Sequence, residues 1–292
     1  MTMREGTLVK GVGGAYDVAS NGKIFKCTSR KKTKQKGGNF MIGDHVDFDS
    51  ETLTIEKVHT RKNFLIRPPI ANIDNLVIII STLPQPDFML IDKMLIHARN
   101  YGIKPYIVIN KIDLGIEDFR KSVKEDYKNA VEEIFEITTF EKETTKVLNG
   151  VLASGITCLV GQSAVGKTSL LNIIKVGGHK REMEVGELSK NKRGKHTTRH
   201  SEIWDTIQGG YVIDTPGFSF LDIDIDEAEL MHYYPDFFKY QNECYYGSCM
   251  HIKEPKCMVK QKLEEGEISK NRYERYLKIY EEMKKRRENK YG

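Results

Sequence analysis

Residues 156–175 read ITCLVGQSAVGKTSLLNIIK, and this stretch decides the fold. An apolar strand runs into Gly161-Gln162-Ser163-Ala164-Val165-Gly166-Lys167-Thr168, and a helical run from Ser169 leaves it. The loop satisfies G-x-x-x-x-G-K-[ST] in full. Its glycines let backbone N–H groups turn inward around phosphates, and the helix N-terminus adds a favourable dipole. Lys167 would reach the β- and γ-phosphates, and the Thr168 hydroxyl would ligate Mg²⁺. The bland alternative is a Gly-rich turn matching by chance, which the strand and helix flanks oppose.

Upstream, Asn110-Lys111-Ile112-Asp113 ends another apolar strand, PYIVIN, and has the form N-K-x-D. The Asp113 carboxylate can accept hydrogen bonds from guanine N1–H and the exocyclic amino group, donors that adenine lacks at those positions. Lys111 would lay its stem over the base, and Asn110 would brace the base loop against the phosphate loop. A polar turn at a strand end is the alternative for these four residues alone. Downstream, Asp214-Thr215-Pro216-Gly217 also ends a strand, YVIDT, and fits D-x-x-G. There Asp214 would hold Mg²⁺ through water, and the Gly217 amide would sense the γ-phosphate. In the loop Gly194-Lys195-His196-Thr197-Thr198, either threonine could complete the magnesium shell of a GTP state.

The order of these elements is permuted, because N-K-x-D precedes the phosphate loop. Circular permutation is feasible where termini lie close together. It runs the γ-phosphate sensor directly into the C-terminal part of the chain, and order–disorder of such loops is a common GTPase output. Phe218 follows D-x-x-G where many GTPases have glutamine, so the usual water-orienting group is missing. His196 is the nearest polar substitute and could position or deprotonate the attacking water. Its other reading is a histidine that contacts RNA or solvent.

Working outward, residues 69–222 alternate apolar strands with amphipathic stretches at Asp87–Asn100, Glu117–Glu133 and Lys167–Lys175. That pattern predicts a mostly parallel sheet covered on both faces. Residues 1–68 read instead as five short strands separated by glycines and polar turns. They predict a small barrel, an OB-fold or its SH3-like look-alike, closed by a stiff Arg67-Pro68-Pro69 linker. Residues 223–292 carry Cys244-x4-Cys249-x-His251-x5-Cys257 and a helical tail. Three thiolates and an imidazole close a tetrahedral shell, which suits one structural Zn²⁺. Free cysteines in a helical hairpin are the alternative. Cys27 and Cys158 stand apart on strands and read as core residues. In the tail, Ile268, Arg272, Tyr276, Tyr280 and Met283 form a packing stripe.

The chain of 292 residues is 39% hydrophobic, and its longest apolar run is a strand, so no membrane span is expected. The start, MTMREGTLVK, lacks the apolar segment of a secretory signal, and the cysteines suit a reducing compartment, so a cytoplasmic protein is expected; a monomer is expected separately. The net charge of +5 is modest, but it is concentrated in runs at Arg30–Lys36, Lys190–Arg199 and Lys284–Lys290. One such run is usually a solvated face; three suggest a polyanion such as RNA.

With these motifs in this order, the chain resembles the ribosome small-subunit-dependent GTPase A (RsgA) family along nearly its whole length. The carrying residues are Asn110–Asp113, GQSAVGKTSLLN, GKHTT, DTPGF and the cysteine/histidine cluster. The resemblance implies an OB-fold, a circularly permuted GTPase domain and a zinc-binding domain. It also implies late maturation of the small ribosomal subunit, binding to its rRNA, subunit-stimulated GTP hydrolysis, and a catalytic role for His196. Three departures stand out. Ala164 occupies a position where the family usually has glycine, and Lys195 replaces an arginine, losing bidentate phosphate contact. No clear guanine loop of the S-A-K type is visible; Thr138-Thr139 is the candidate by position. Two competing readings are an RNA-binding module with a vestigial nucleotide site, opposed by Lys167, Thr168 and Asp214, and an ATPase, opposed by Asp113.

Overall fold

The computed structural model describes residues 2–12, 14–29, 39–66, 69–176, 203–214 and 225–291. Strands β1 (Met3–Val12), β2 (Ala15–Ser20), β3 (Lys23–Ser29), β4 (His45–Asp49) and β5 (Thr54–Val58) close into a barrel in the order β1-β2-β3-β5-β4. β3 and β5 run parallel, whereas the closing β1–β4 pair is antiparallel. A succession of hairpins cannot make that parallel pair, so the barrel has the OB-fold order. Leu8, Val18, Val46, Phe48 and Ile55 fill its interior.

Of the Arg67-Pro68-Pro69 segment expected to be a linker, Arg67 and Pro68 lie outside the described residues, and Pro69 opens a strand of a two-stranded sheet. β6 (Phe64–Ile66) pairs antiparallel with β7 (Pro69–Ala71), whose proline sits at the first strand position, where a missing N–H is tolerated. Nor is the barrel loosely tethered. Asn72 Nδ2 donates to the Gly43 carbonyl at 2.9 Å. At Gly43, with φ +89°, a Cβ would stand 2.2 Å from the Ala71 carbonyl oxygen. Only glycine permits this approach of barrel to sheet.

The second sheet comprises β8 (Ile73–Ile80), β9 (Lys104–Ile109), β10 (Glu133–Glu136), β11 (Ile156–Val160), β12 (Ile203–Asp205) and β13 (Tyr211–Asp214). Its order is β10-β9-β8-β11-β13-β12, parallel throughout except for the antiparallel edge strand β12. Period-2 alternation sorts its residues to two faces. Leu76, Ile78 and Ile80 meet α1 (Phe88–Asn100) and α2 (Glu117–Tyr127) in a core continuous with the barrel interior. Val77 and Ile79 pack in a second core with Leu170, Leu171 and Ile174 of α3 (Lys167–Ile174). α2 is shorter than the expected Glu117–Glu133: it stops at the buried Tyr127, and Glu132 N–H already bonds Pro105 O at 2.9 Å to start β10.

The C-terminal part contains α4 (Met258–Glu264) and α5 (Lys270–Tyr291) around a core of Leu230, Phe237, Val259, Tyr276 and Ile279. The expected stripe on α5 does pack, and Arg272 within it is 1% exposed. Its guanidinium donates to Asp92 of α1 at 2.7 Å and to Asp236 at 2.8 and 3.2 Å. Arg275 adds bonds to Asp92 at 2.5 Å and to Asp126 of α2 at 3.1 Å. Buried charges need such complete pairing. Two arginines of one helix thereby hold the C-terminal part against both helices on one face of the sheet.

Candidate functional site

Loops leaving the C-terminal ends of the parallel strands build the site, where ligands of open α/β sheets bind. Gly161, at the end of β11, has φ +149°, and a Cβ there would lie 2.3 Å from the Ile79 carbonyl oxygen of the neighbouring strand. At Gly166, with φ +101°, a Cβ would lie 2.2 Å from Asn110 Nδ2. Both loop glycines are therefore fixed by close approach as well as by backbone conformation. Ala164 also has a positive φ, 68°, a region that costs a non-glycine residue roughly 1–2 kcal/mol. A non-glycine residue at this position therefore strains the loop.

The base side and the phosphate side are joined directly. Asn110, fully buried, donates from Nδ2 to Val165 O at 2.8 Å, and its backbone N–H bonds Ile80 O at 2.8 Å. Lys111 is left-handed, φ 64°, which turns its side chain back across the phosphate loop. Its Nζ donates to Ala164 O and to Leu83 O, each at 2.8 Å. Asp113 lies exposed in the short helical turn Ile112–Leu114. Beside it, Ile112 N–H bonds Ile137 O at 3.3 Å, which brings the Thr138-Thr139 loop next to Asn110–Asp113. Thr138 is buried, and its backbone N–H and C=O are both held by the Thr144 hydroxyl, at 3.0 and 2.8 Å. The Leu83 carbonyl escaped sequence reasoning because it carries no motif; its one signal is its place after β8, between the two motif-bearing strands.

On the phosphate side, Lys167 Nζ donates to Gly161 O and Gln162 O at 2.8 Å each. Burial lowers its pKa from the ordinary lysine value, against the pull of Asp214. Asp214 shifts the other way, its carboxyl raised by burial and held down by Lys167. Asp214 Oδ1 is buried and accepts no hydrogen bond among the described residues. An orphaned carboxylate oxygen facing the lysine that closes a phosphate loop fits a water-clad Mg²⁺. Thr168 and Ser169 open α3, and Ser163 and Ala164 are exposed at the loop crest. Lys195, His196, Thr197, Thr198, Gly217 and Phe218 lie outside the described residues.

The second centre is the cysteine/histidine cluster. One ligand atom from each of Cys244, Cys249, His251 and Cys257 lies within 4.8 Å of all the others. His251 Nδ1 is 3.7 Å from Cys244 Sγ and 3.4 Å from Cys257 Sγ, which makes Nδ1 the converging nitrogen. Burial pushes the Cys249 thiol up to about 12 and the His251 imidazole down to about 4, so a cation would have to offset the charge of thiolates held here. That donor set fits one tetrahedral Zn²⁺. The surrounding shell was not legible from spacing. Glu254 accepts the N–H groups of Met250, Ile252 and Lys253 at 2.8, 2.8 and 3.0 Å, while α5 supplies Tyr273 OH to His251 O at 2.6 Å and Tyr276 OH to Met250 O at 2.8 Å. Among the described residues, no helix is long and apolar enough to cross a membrane.

Two family models match the chain: the RsgA N-terminal domain over residues 5–55 and the RsgA GTPase over residues 58–224. A protein of Geobacillus sp. (strain WCH70) named small ribosomal subunit biogenesis GTPase RsgA is 39% identical, over 98% of this chain and 99% of that protein. Its namesake in Ruminiclostridium cellulolyticum is 41% identical, over 97% and 94%. Among solved structures, YjeQ from Thermotoga maritima superposes with a TM-score of 0.80 at 32% identity, covering 97% of this chain and 99% of that one. YloQ, described as a circularly permuted GTPase, gives 0.81 at 31%, covering 98% and 96%.

Proposed function

The chain belongs to the RsgA GTPase family, and from that premise we propose that it hydrolyses GTP to GDP and phosphate while bound to the small ribosomal subunit, late in that particle's maturation. The observation that carries the reading is the clamp of Asn110 and Lys111 on the phosphate loop, at 2.8 Å to Val165 and Ala164. It joins the proposed base loop to the proposed phosphate loop beyond the C-terminal ends of β9 and β11, in permuted chain order.

In this reading, residues 161–169 hold the phosphates, with Lys167 paired to the β- and γ-oxygens. Asp113 accepts two donors from guanine, and the Lys111 stem covers the base. Thr168 and Asp214 hold Mg²⁺, with Thr197 or Thr198 added in the GTP state, and the Gly217 amide meets the γ-phosphate. The magnesium ion supplies charge neutralisation to the β- and γ-oxygens when bound. His196 positions the attacking water or takes its proton, the part that Phe218 cannot play. Domains 1–68, 69–222 and 223–292 then divide the work. The barrel and the module built on one structural Zn²⁺ flank the GTPase, carry basic runs, and grip separated stretches of rRNA in the cytoplasm.

Because D-x-x-G leads into the zinc module, GTP should favour subunit binding and, by linkage, the subunit should favour GTP. The coupling would be about 1–3 kcal/mol. Co-sedimentation with small subunits, large subunits and naked RNA tests this in each nucleotide state. Preferential pelleting with small subunits in a non-hydrolysable GTP analogue is expected. Equal pelleting with GDP would remove the switch, and preference for large subunits would remove the partner.

A further inference from the structure

We propose that Tyr245 and Tyr246, carried on the cysteine/histidine knuckle, form a stacking platform for unpaired RNA bases, with Lys256 beside it for the adjoining phosphate. The proposal rests on the reading of the chain as an RNA-bound GTPase and gives one contact its chemistry. Both rings stand out from the surface, 68% and 45% exposed. Their centroids are 4.9 Å apart at 83°, so the rings meet edge to face and do not stack on each other. Lys256 Nζ lies over one face of the Tyr245 ring, 4.8 Å from its centroid, so a base would meet the other face. Tyrosine is more often partly covered, with its hydroxyl bonded, so two adjacent protruding rings need a reason.

The backbone that carries the pair is also tied down by hydrogen bonds, as that of a recognition platform must be. It sits between the metal-ligand candidates Cys244 and Cys249. Tyr245 N–H bonds Lys256 O at 3.3 Å, and Cys249 N–H bonds Tyr246 O at 3.1 Å. Gln241 Nε2 holds Gly247 O at 2.8 Å. Lys256 itself is left-handed, φ 53°, just ahead of Cys257. The rings and the cation therefore come from two segments that the ligand cluster joins.

Charge and polarity favour RNA over a protein partner. In the same loop Gly247, Ser248, Lys253, Pro255 and Lys256 are exposed, so the chain around the rings is polar or basic apart from Pro255, unlike the apolar frame of a protein-binding hot spot. The acidic residue inside this loop, Glu254, is occupied with three backbone N–H groups. Bases inside an A-form duplex have both faces covered, so the platform selects single-stranded loops or bulges.

The test is fluorescence anisotropy of the full, zinc-loaded chain with a labelled unstructured RNA oligonucleotide and with a duplex of equal length. Tyr245→Ala with Tyr246→Ala should weaken single-strand binding by about 5- to 150-fold per lost stack and leave duplex binding unchanged. Tyr245→Phe with Tyr246→Phe should retain binding. Tyr245→Leu with Tyr246→Leu keeps the bulk and should lose binding, which guards against a folding effect in the alanine pair. Zinc content and basal GTP hydrolysis should match wild type throughout. Wild-type affinity in the alanine and leucine pairs, or equal loss on duplex, would overturn the platform while leaving the RNA-bound reading. Wild-type protein that binds neither oligonucleotides nor small subunits would overturn both.

Discussion

The side-chain amide of Asn110 donates to the carbonyl oxygen of Val165 at 2.8 Å, tying the base loop to the phosphate loop across 55 residues of chain. Asn110→Ala leaves that buried carbonyl unpaired, at a cost of about 1–3 kcal/mol. Nucleotide affinity should fall by about tenfold or more. Gly166→Ala should be worse, because its Cβ would meet the same amide at 2.2 Å at a backbone conformation that alanine resists. Titration with a fluorescent GDP analogue checks both; wild-type affinity in Gly166→Ala would show that the loop does not depend on this approach.

If Asp113 is the guanine reader, as proposed, base selectivity should follow from it. Each charge-assisted hydrogen bond contributes about 1.5–3 kcal/mol, so GTP and GDP should bind several hundred-fold or more tightly than ATP. Asp113→Ala should erase most of that difference. Calorimetric titration giving comparable affinities for GTP and ATP in the wild type would remove Asp113 as the reader.

Arg272 anchors the C-terminal part through Asp92 and Asp236. Arg272→Leu leaves Asp236 without that buried partner and Asp92 with Arg275 alone, and should cost about 3–5 kcal/mol in urea unfolding. Arg272→Lys should not restore stability, since one ammonium cannot reproduce a fork that bonds two carboxylates. A loss below about 1 kcal/mol would mean that the docking rests on apolar contacts instead.

The contrast between that network and the nucleotide loops marks what the sequence could reveal. Phosphate cradling is local chemistry, so GQSAVGKT and its flanks name their own strand, loop and helix. Arg272 shows in sequence only as a member of a packing stripe, because its partners lie 180 and 36 residues away. The pair β6 and β7 was hidden because each strand has three residues and the second opens on Pro69 of a proline pair, where local propensity argues for a linker. The end of α2 at Tyr127 was set by the buried ring and the turn into β10, a tertiary constraint that no helical period carries.

One zinc ion per chain is expected at Cys244, Cys249, His251 and Cys257. Tyr273 and Tyr276 tie this knuckle to α5, so metal removal should unfold more than the loop itself. Chelation should lower the C-terminal part's resistance to proteolysis and spare the barrel. Elemental analysis finding no metal in freshly purified, protease-resistant protein would contradict this.

The most direct measurement is the rate of GTP hydrolysis by the purified protein, alone and with small ribosomal subunits, in wild type and in His196→Ala. The account predicts faster hydrolysis with small subunits, no such effect with large subunits, and a loss of about ten- to a thousand-fold in His196→Ala without weaker nucleotide binding. A rate unchanged by the small subunit would contradict the proposed partner, and an unchanged rate in His196→Ala under both conditions would take the imidazole out of the reaction.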